Sequence, residues 1–105
     1  MKLRDNERKA LESLKEQLQR RFGVIEVKLF GSKARGEAAQ ESDLDLFIKL
    51  KTLNPRVRKG IYDLCFELNL QYDVVLSPIL FSEEEVARQK HTPFLQGIEE
   101  ESLTL

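Results

Sequence analysis

Asp43 and Asp45 flank a leucine in the run Ser42-Asp43-Leu44-Asp45-Leu46. On an extended strand, residues two apart share a face about 6.6–7 Å apart along the backbone, so both carboxylates project the same way. Aspartate is depleted in strands, and two on one face repel each other unless a divalent cation sits between them. Hard oxygens of this kind suit Mg²⁺, which takes one or two protein carboxylates and completes its shell with water and substrate phosphates. The competing reading is a solvated strand edge. A third acid, Asp73, interrupts the apolar run Tyr72-Asp73-Val74-Val75-Leu76. If that run is a strand beside residues 43–50, Asp73 joins the pair on one face. Three acids then make a cup for one or two Mg²⁺ ions, the arrangement used for in-line displacement at phosphorus.

Upstream, Gly31-Ser32 follows an apolar run directly. Glycine lets a backbone approach a ligand closely, and a helical turn after it aims N–H groups at an anion. Ser32 adds a hydroxyl, Lys33 and Arg35 add positive charge, and Gly36 permits an unusual backbone angle where the segment leaves. Taken alone, this is also what an ordinary structural turn looks like.

The elements that must position these residues follow from periodicity. Ala10, Leu11, Leu14, Leu18 and Phe22 recur at three- and four-residue steps, predicting a helix over 6–22 capped by Asp5 or Asn6 and ended by Gly23. Residues 24–30 alternate as a strand, with Ile25, Val27 and Leu29 on one face. Residues 31–42 are too long for a tight hairpin, and 43–50 form a second strand with Leu44, Leu46, Ile48 and Leu50 inward. Asn54-Pro55 opens a helix to about Asn69, and residues 72–76 read as a third strand. Ser82 with Glu85 caps a short helix, and Thr92-Pro93 starts another. The expectation is an α/β fold, one domain over 1–105, with a mixed sheet of three or more strands flanked by helices. The second sheet face is polar and is expected to stay open for substrate, with the chain alone a monomer.

The spacing Gly31-Ser32, ten residues, Asp43-x-Asp45 resembles the signature of the nucleotidyltransferase superfamily that includes DNA polymerase β. The wider stretch from Leu29-Phe30-Gly31-Ser32-Lys33-Ala34-Arg35-Gly36 to Ser42-Asp43-Leu44-Asp45-Leu46 is similar to its minimal nucleotidyltransferase group. The resemblance spans roughly residues 8–105, with Lys33 standing where many members have Arg or Tyr. It implies that Gly31 and Ser32 hold nucleotide phosphates, with Arg35 as a further phosphate or partner contact. It also implies that Asp43, Asp45 and Asp73 bind Mg²⁺ and carry catalysis, Asp73 helping to deprotonate the acceptor. ATP is then the donor. Members of this group pair with a HEPN-domain protein, an RNase toxin, which they neutralise by moving AMP to one of its tyrosines. The chain would thus be a protein adenylyltransferase antitoxin in a hetero-oligomer. Two alternatives stay open: an antitoxin that acts by occlusion alone, and the catalytic subunit of a small-molecule or nucleic-acid nucleotidyltransferase.

Composition narrows the field. The 105 residues are 41% hydrophobic and 33% charged, with a net charge of −1, which argues against wholesale nucleic-acid binding. Residues 1–36 carry ten Lys/Arg against five Asp/Glu, and residues 37–105 carry seven against thirteen. The basic front could steer an acidic partner surface. One cysteine and one histidine exclude a disulfide framework and a thiolate-rich zinc site. Cys65 lies on an apolar helical stripe, and His91 sits in a polar stretch. No run approaches the roughly 20 apolar residues of a membrane span, and the charged N-terminus is not a signal peptide. The expected location is the cytoplasm.

Overall fold

The computed structural model describes residues 3–36 and 43–105; the segment 37–42, including Ser42 of the motif, lies outside the described residues. The elements are α1 (Asp5–Phe22), β1 (Val24–Phe30), α2 (Gly31–Arg35), β2 (Leu44–Leu50), α3 (Pro55–Tyr72), β3 (Leu76–Ser82), α4 (Glu83–Gln89), α5 (Pro93–Glu101) and β4 (Leu103–Thr104). The sheet order is β3-β2-β1-β4. β1 pairs antiparallel with β2 and β4, whereas β2 and β3 run parallel across the α3 crossover. This is the expected mixed α/β sheet, with a fourth strand at its edge.

The apolar stripes of α1 (Ala10, Leu11, Leu14, Leu18) and α3 (Ile61, Leu64, Cys65, Leu68) close over one sheet face. There they meet Leu44, Leu46, Ile48 and Leu50 of β2 and Val27 and Leu29 of β1. Cys65 belongs to this core, and burial pushes its thiol up to about 12, so it is inert packing rather than a nucleophile. Asn54 caps α3 by accepting the Val57 N–H at 2.9 Å, and Ser82 and Glu85 form the reciprocal box of α4.

Besides the start of α1, whose N-cap is Arg4 rather than Asp5 or Asn6, three expectations are corrected. Val24 pairs with Leu50 and Glu26 with Lys49, so Ile25 is an extra residue in a bulge. Ile25 is therefore 46% exposed, and Val24 packs against the core in its place. The face expected to stay open is partly covered: Phe47, Leu95 and Ile98 are buried there, joined by Phe30, Phe81 and Val86, because α4 and α5 fold back across the sheet.

The third correction is the largest. The third strand is Leu76–Ser82, not 72–76, because α3 continues to Tyr72, which packs against the main core. Asp73 then takes a left-handed conformation (φ 55°) as the helix C-cap, a position aspartate tolerates better than most residues. Two amide side chains fix this turn. Asn6 Nδ2 donates to the carbonyls of Tyr72 (2.8 Å) and Asp73 (3.2 Å), and Asn69 Oδ1 accepts the Leu76 N–H at 2.8 Å. Pro78 sits within β3, which is possible because β3 is an edge strand.

Candidate active site

Gly31-Ser32 and Asp43-x-Asp45 meet at one end of the sheet. Phe30, the last residue of β1, pairs with Asp45 of β2, so Gly31 starts α2 directly beside the carboxylate. Gly31 has φ +76°, and a Cβ placed on it would lie 2.6 Å from Asp45 Oδ2. Glycine is needed there twice over, for a left-handed backbone angle and for the close approach of the carboxylate.

Leu44, between the two acids, points into the core and is fully buried, so alternation turns Asp43 and Asp45 to the opposite face. The Leu44 N–H bonds to the Val75 carbonyl at 2.8 Å, which holds β2 against the β3 approach. Asp43 is exposed and Asp45 half-buried. Burial, and then the neighbouring Asp43 charge, hold the Asp45 carboxyl above its ordinary value. The pair is two adjacent hard-oxygen donors that resist being charged together, a set that fits a divalent cation.

Asp73 does not complete it. It lies at the C-cap of α3, three residues before β3. Among the described residues no group of three or more His, Cys, Asp or Glu side chains is placed to hold a metal. Instead, β3 offers Ser77, the register partner of Asp45, whose hydroxyl donates to Asp43 Oδ2 at 3.3 Å. Nothing in the type of Ser77 announced this; only the pairing register reveals it.

Ser32 is half-buried in the first turn of α2. Lys33 does not face the site as a free positive charge would. It is 4% exposed and reaches Glu7 of α1 at 3.0 Å, anchoring α2 from behind. Arg35 is exposed and lies 4.0 Å from Glu101 of α5. These two residues are on the rim of a cleft of about 320 Å³ between α2 and α5, lined also by Gly31 and Phe94. His91 is exposed. No helix among the described residues is long and apolar enough to cross a membrane.

The sequence profile of the nucleotidyltransferase domain matches residues 11–103. The chain belongs to the nucleotidyltransferase domain family. Two proteins of Methanocaldococcus jannaschii, both provisionally named protein adenylyltransferases, are each 32% identical to this nucleotidyltransferase. One alignment covers 84% of this chain and 63% of that relative; the other covers 95% and 98%. Among solved structures, a toxin–antitoxin crystal structure with AMP-PNP superposes with a TM-score of 0.64 at 18% identity, over 96% of this chain and 72% of that one. This last likeness is one of fold.

The raised Asp45 carboxyl gives this nucleotidyltransferase a pH signature. A folded-state value above the unfolded one means that the folded chain keeps its proton longer. Stability therefore falls as pH rises through the ordinary carboxylate range to the raised value. In metal-free buffer, Asp45→Asn is expected to melt higher than wild type at neutral pH. The two melting curves should converge at about pH 3, below the ordinary carboxylate range. A variant that melts lower at neutral pH would show that Asp45 supports the fold rather than straining it.

Proposed function

We propose that the chain transfers AMP from ATP to a tyrosine hydroxyl of a partner protein, a HEPN-domain RNase toxin, and so neutralises it. The observation that carries this reading is the contact between Gly31 and Asp45 at 2.6 Å from a notional Cβ, which sets a phosphate-binding turn against a carboxylate pair. Family membership and the names of the two relatives support the chemistry. The toxin–antitoxin fold neighbour with AMP-PNP supports the donor and the type of partner.

Asp43 and Asp45 would hold Mg²⁺, which would supply charge neutralisation at phosphorus. The chain's own residues do the rest. The N–H groups at the start of α2 and the Ser32 hydroxyl fix the phosphates, and Arg35 adds charge at the rim. Positioning of this kind is most of what phosphoryl transfer requires. Since Asp73 lies elsewhere, proton acceptance from the attacking hydroxyl passes to the acid pair.

Incubating the partner with this protein, ATP and Mg²⁺ should add one or more AMP units, about 329 Da each for the group this chemistry delivers, as read by intact mass. Asp43→Asn and Ser32→Ala should abolish the gain. One observation favours a second reading: Ser77 stands where a third acid would face the pair, which suits a chain that silences its partner by occlusion. If Asp43→Asn silences the partner as well as wild type does, with no mass change in either case, occlusion replaces transfer.

A further inference from the structure

The sheet order puts β2 between β1 and β3, so the acid pair has a neighbouring strand on either hand. In register, Phe30 of β1, Asp45 of β2 and Ser77 of β3 form one row, and register partners present their side chains on the same sheet face. Gly31 and Ser32 follow Phe30 directly. The phosphate-binding turn therefore flanks the pair on the β1 side and Ser77 flanks it on the β3 side, with about 4.8 Å between each strand and the next. The Ser77 hydroxyl donates to Asp43 Oδ2 at 3.3 Å, in a bond that lies open to solvent. At that length it is a poor structural hydrogen bond. Other hydroxyls are spent elsewhere: Ser82 and Thr92 cap helices, and Ser102 bonds back to the Ile98 carbonyl.

In-line displacement at phosphorus brings the nucleophile in opposite the leaving group. With pyrophosphate leaving from the start of α2, the attacking oxygen must arrive from the β3 side. The chain already keeps a hydroxyl there, within reach of a carboxylate that takes its proton. A hydroxyl bonded to its base is the recurring signature of an activated nucleophile, and such bonds are often looser before substrate binds. We infer that Ser77 is an acceptor in its own right: without a partner, the chain transfers AMP to its own Ser77. The inference rests on the AMP transfer proposed above. In this step Ser77 Oγ forms a bond to the α-phosphorus of ATP, and the bond from that phosphorus to the oxygen bridging to the β-phosphate breaks. Pyrophosphate leaves with the electron pair, and the hydroxyl proton passes to Asp43 Oδ2. The product is a serine–AMP phosphodiester on the side of the pair at which a partner's hydroxyl would enter.

Incubating the full chain alone with ATP and Mg²⁺ should add one AMP unit, about 329 Da, and peptide mapping should place it on Ser77. The rate should not change on dilution, because donor site and acceptor belong to one chain. Ser77→Ala should abolish the gain, with circular dichroism and melting as in wild type. A parallel incubation with the partner separates this inference from the transfer reading. AMP on the partner but never on the chain would overturn the inference and leave that reading standing. AMP on Ser77 but never on the partner would do the reverse, and no AMP on either protein would overturn both. A label on another residue, or a rate that falls on dilution, would also overturn the inference.

Discussion

Gly31→Ala is expected to leave the chain folded and to slow AMP transfer by about a hundredfold or more. Two effects act on the same atom. A non-glycine residue at φ +76° strains the start of α2 by about 1 kcal/mol. The new Cβ, 2.6 Å from Asp45 Oδ2, forces the carboxylate to swing away or β1 and β2 to part. A displacement near 1 Å at a reacting centre costs on the order of a hundredfold. Intact-mass time courses read the rate, and thermal melts read the fold. A variant that transfers at the wild-type rate would show that the approach of Gly31 to Asp45 is incidental.

The second large effect concerns stability. Glu7 and Lys33 are 1% and 4% exposed and 3.0 Å apart. Breaking a buried pair from one side strands a charge and costs about 3–5 kcal/mol, a large share of the roughly 5–15 kcal/mol that holds a domain together. Lys33→Met should fall at the lower end, about 3 kcal/mol, because Glu7 retains the Arg4 N–H at 2.8 Å and the Arg4 guanidinium at 3.6 Å. Glu7→Leu together with Lys33→Met should recover most of the loss, since an apolar replacement of a buried pair is often neutral. Denaturant midpoints would decide it. Single variants within about 1 kcal/mol of wild type, the range of surface pairs, would place both side chains in water.

Much of this molecule was legible from residue types. The stripes of α1 and α3, the alternation of β2 and the caps at Asn54, Ser82 and Thr92 follow local rules and stand where the sequence puts them. The carboxylate pair and its glycine were legible because their spacing is chemical. The errors were tertiary. An aspartate in an apolar run resembled a strand ligand, yet helix packing by Tyr72 carried α3 past the expected stop and left Asp73 to cap it. Pro78 argues against a strand over 76–82 until that strand is known to be an edge. Glu7 could have been flagged: it falls on the stripe of Leu11, Leu14 and Leu18, so an acid was bound for the core. Its partner Lys33 reads from the sequence only as positive charge beside Gly31-Ser32, because motif spacing says nothing of burial.

The proline in β3 has a consequence for how the molecule can grow. Backbone donors on the outer side of a border strand invite pairing by a foreign strand. The Leu44 N–H takes the Val75 carbonyl, so alternation directs Ser77 and Ile79 inward and leaves positions 76, 78, 80 and 82 looking out. The Leu76 donor is already taken by Asn69, and the Ser82 donor by Glu85. Pro78 has none to give. Leu80 alone presents a hydrogen to an incoming backbone, too few to seed a ladder. This flank of the sheet is sealed against runaway stacking, and any companion must come to it through side chains.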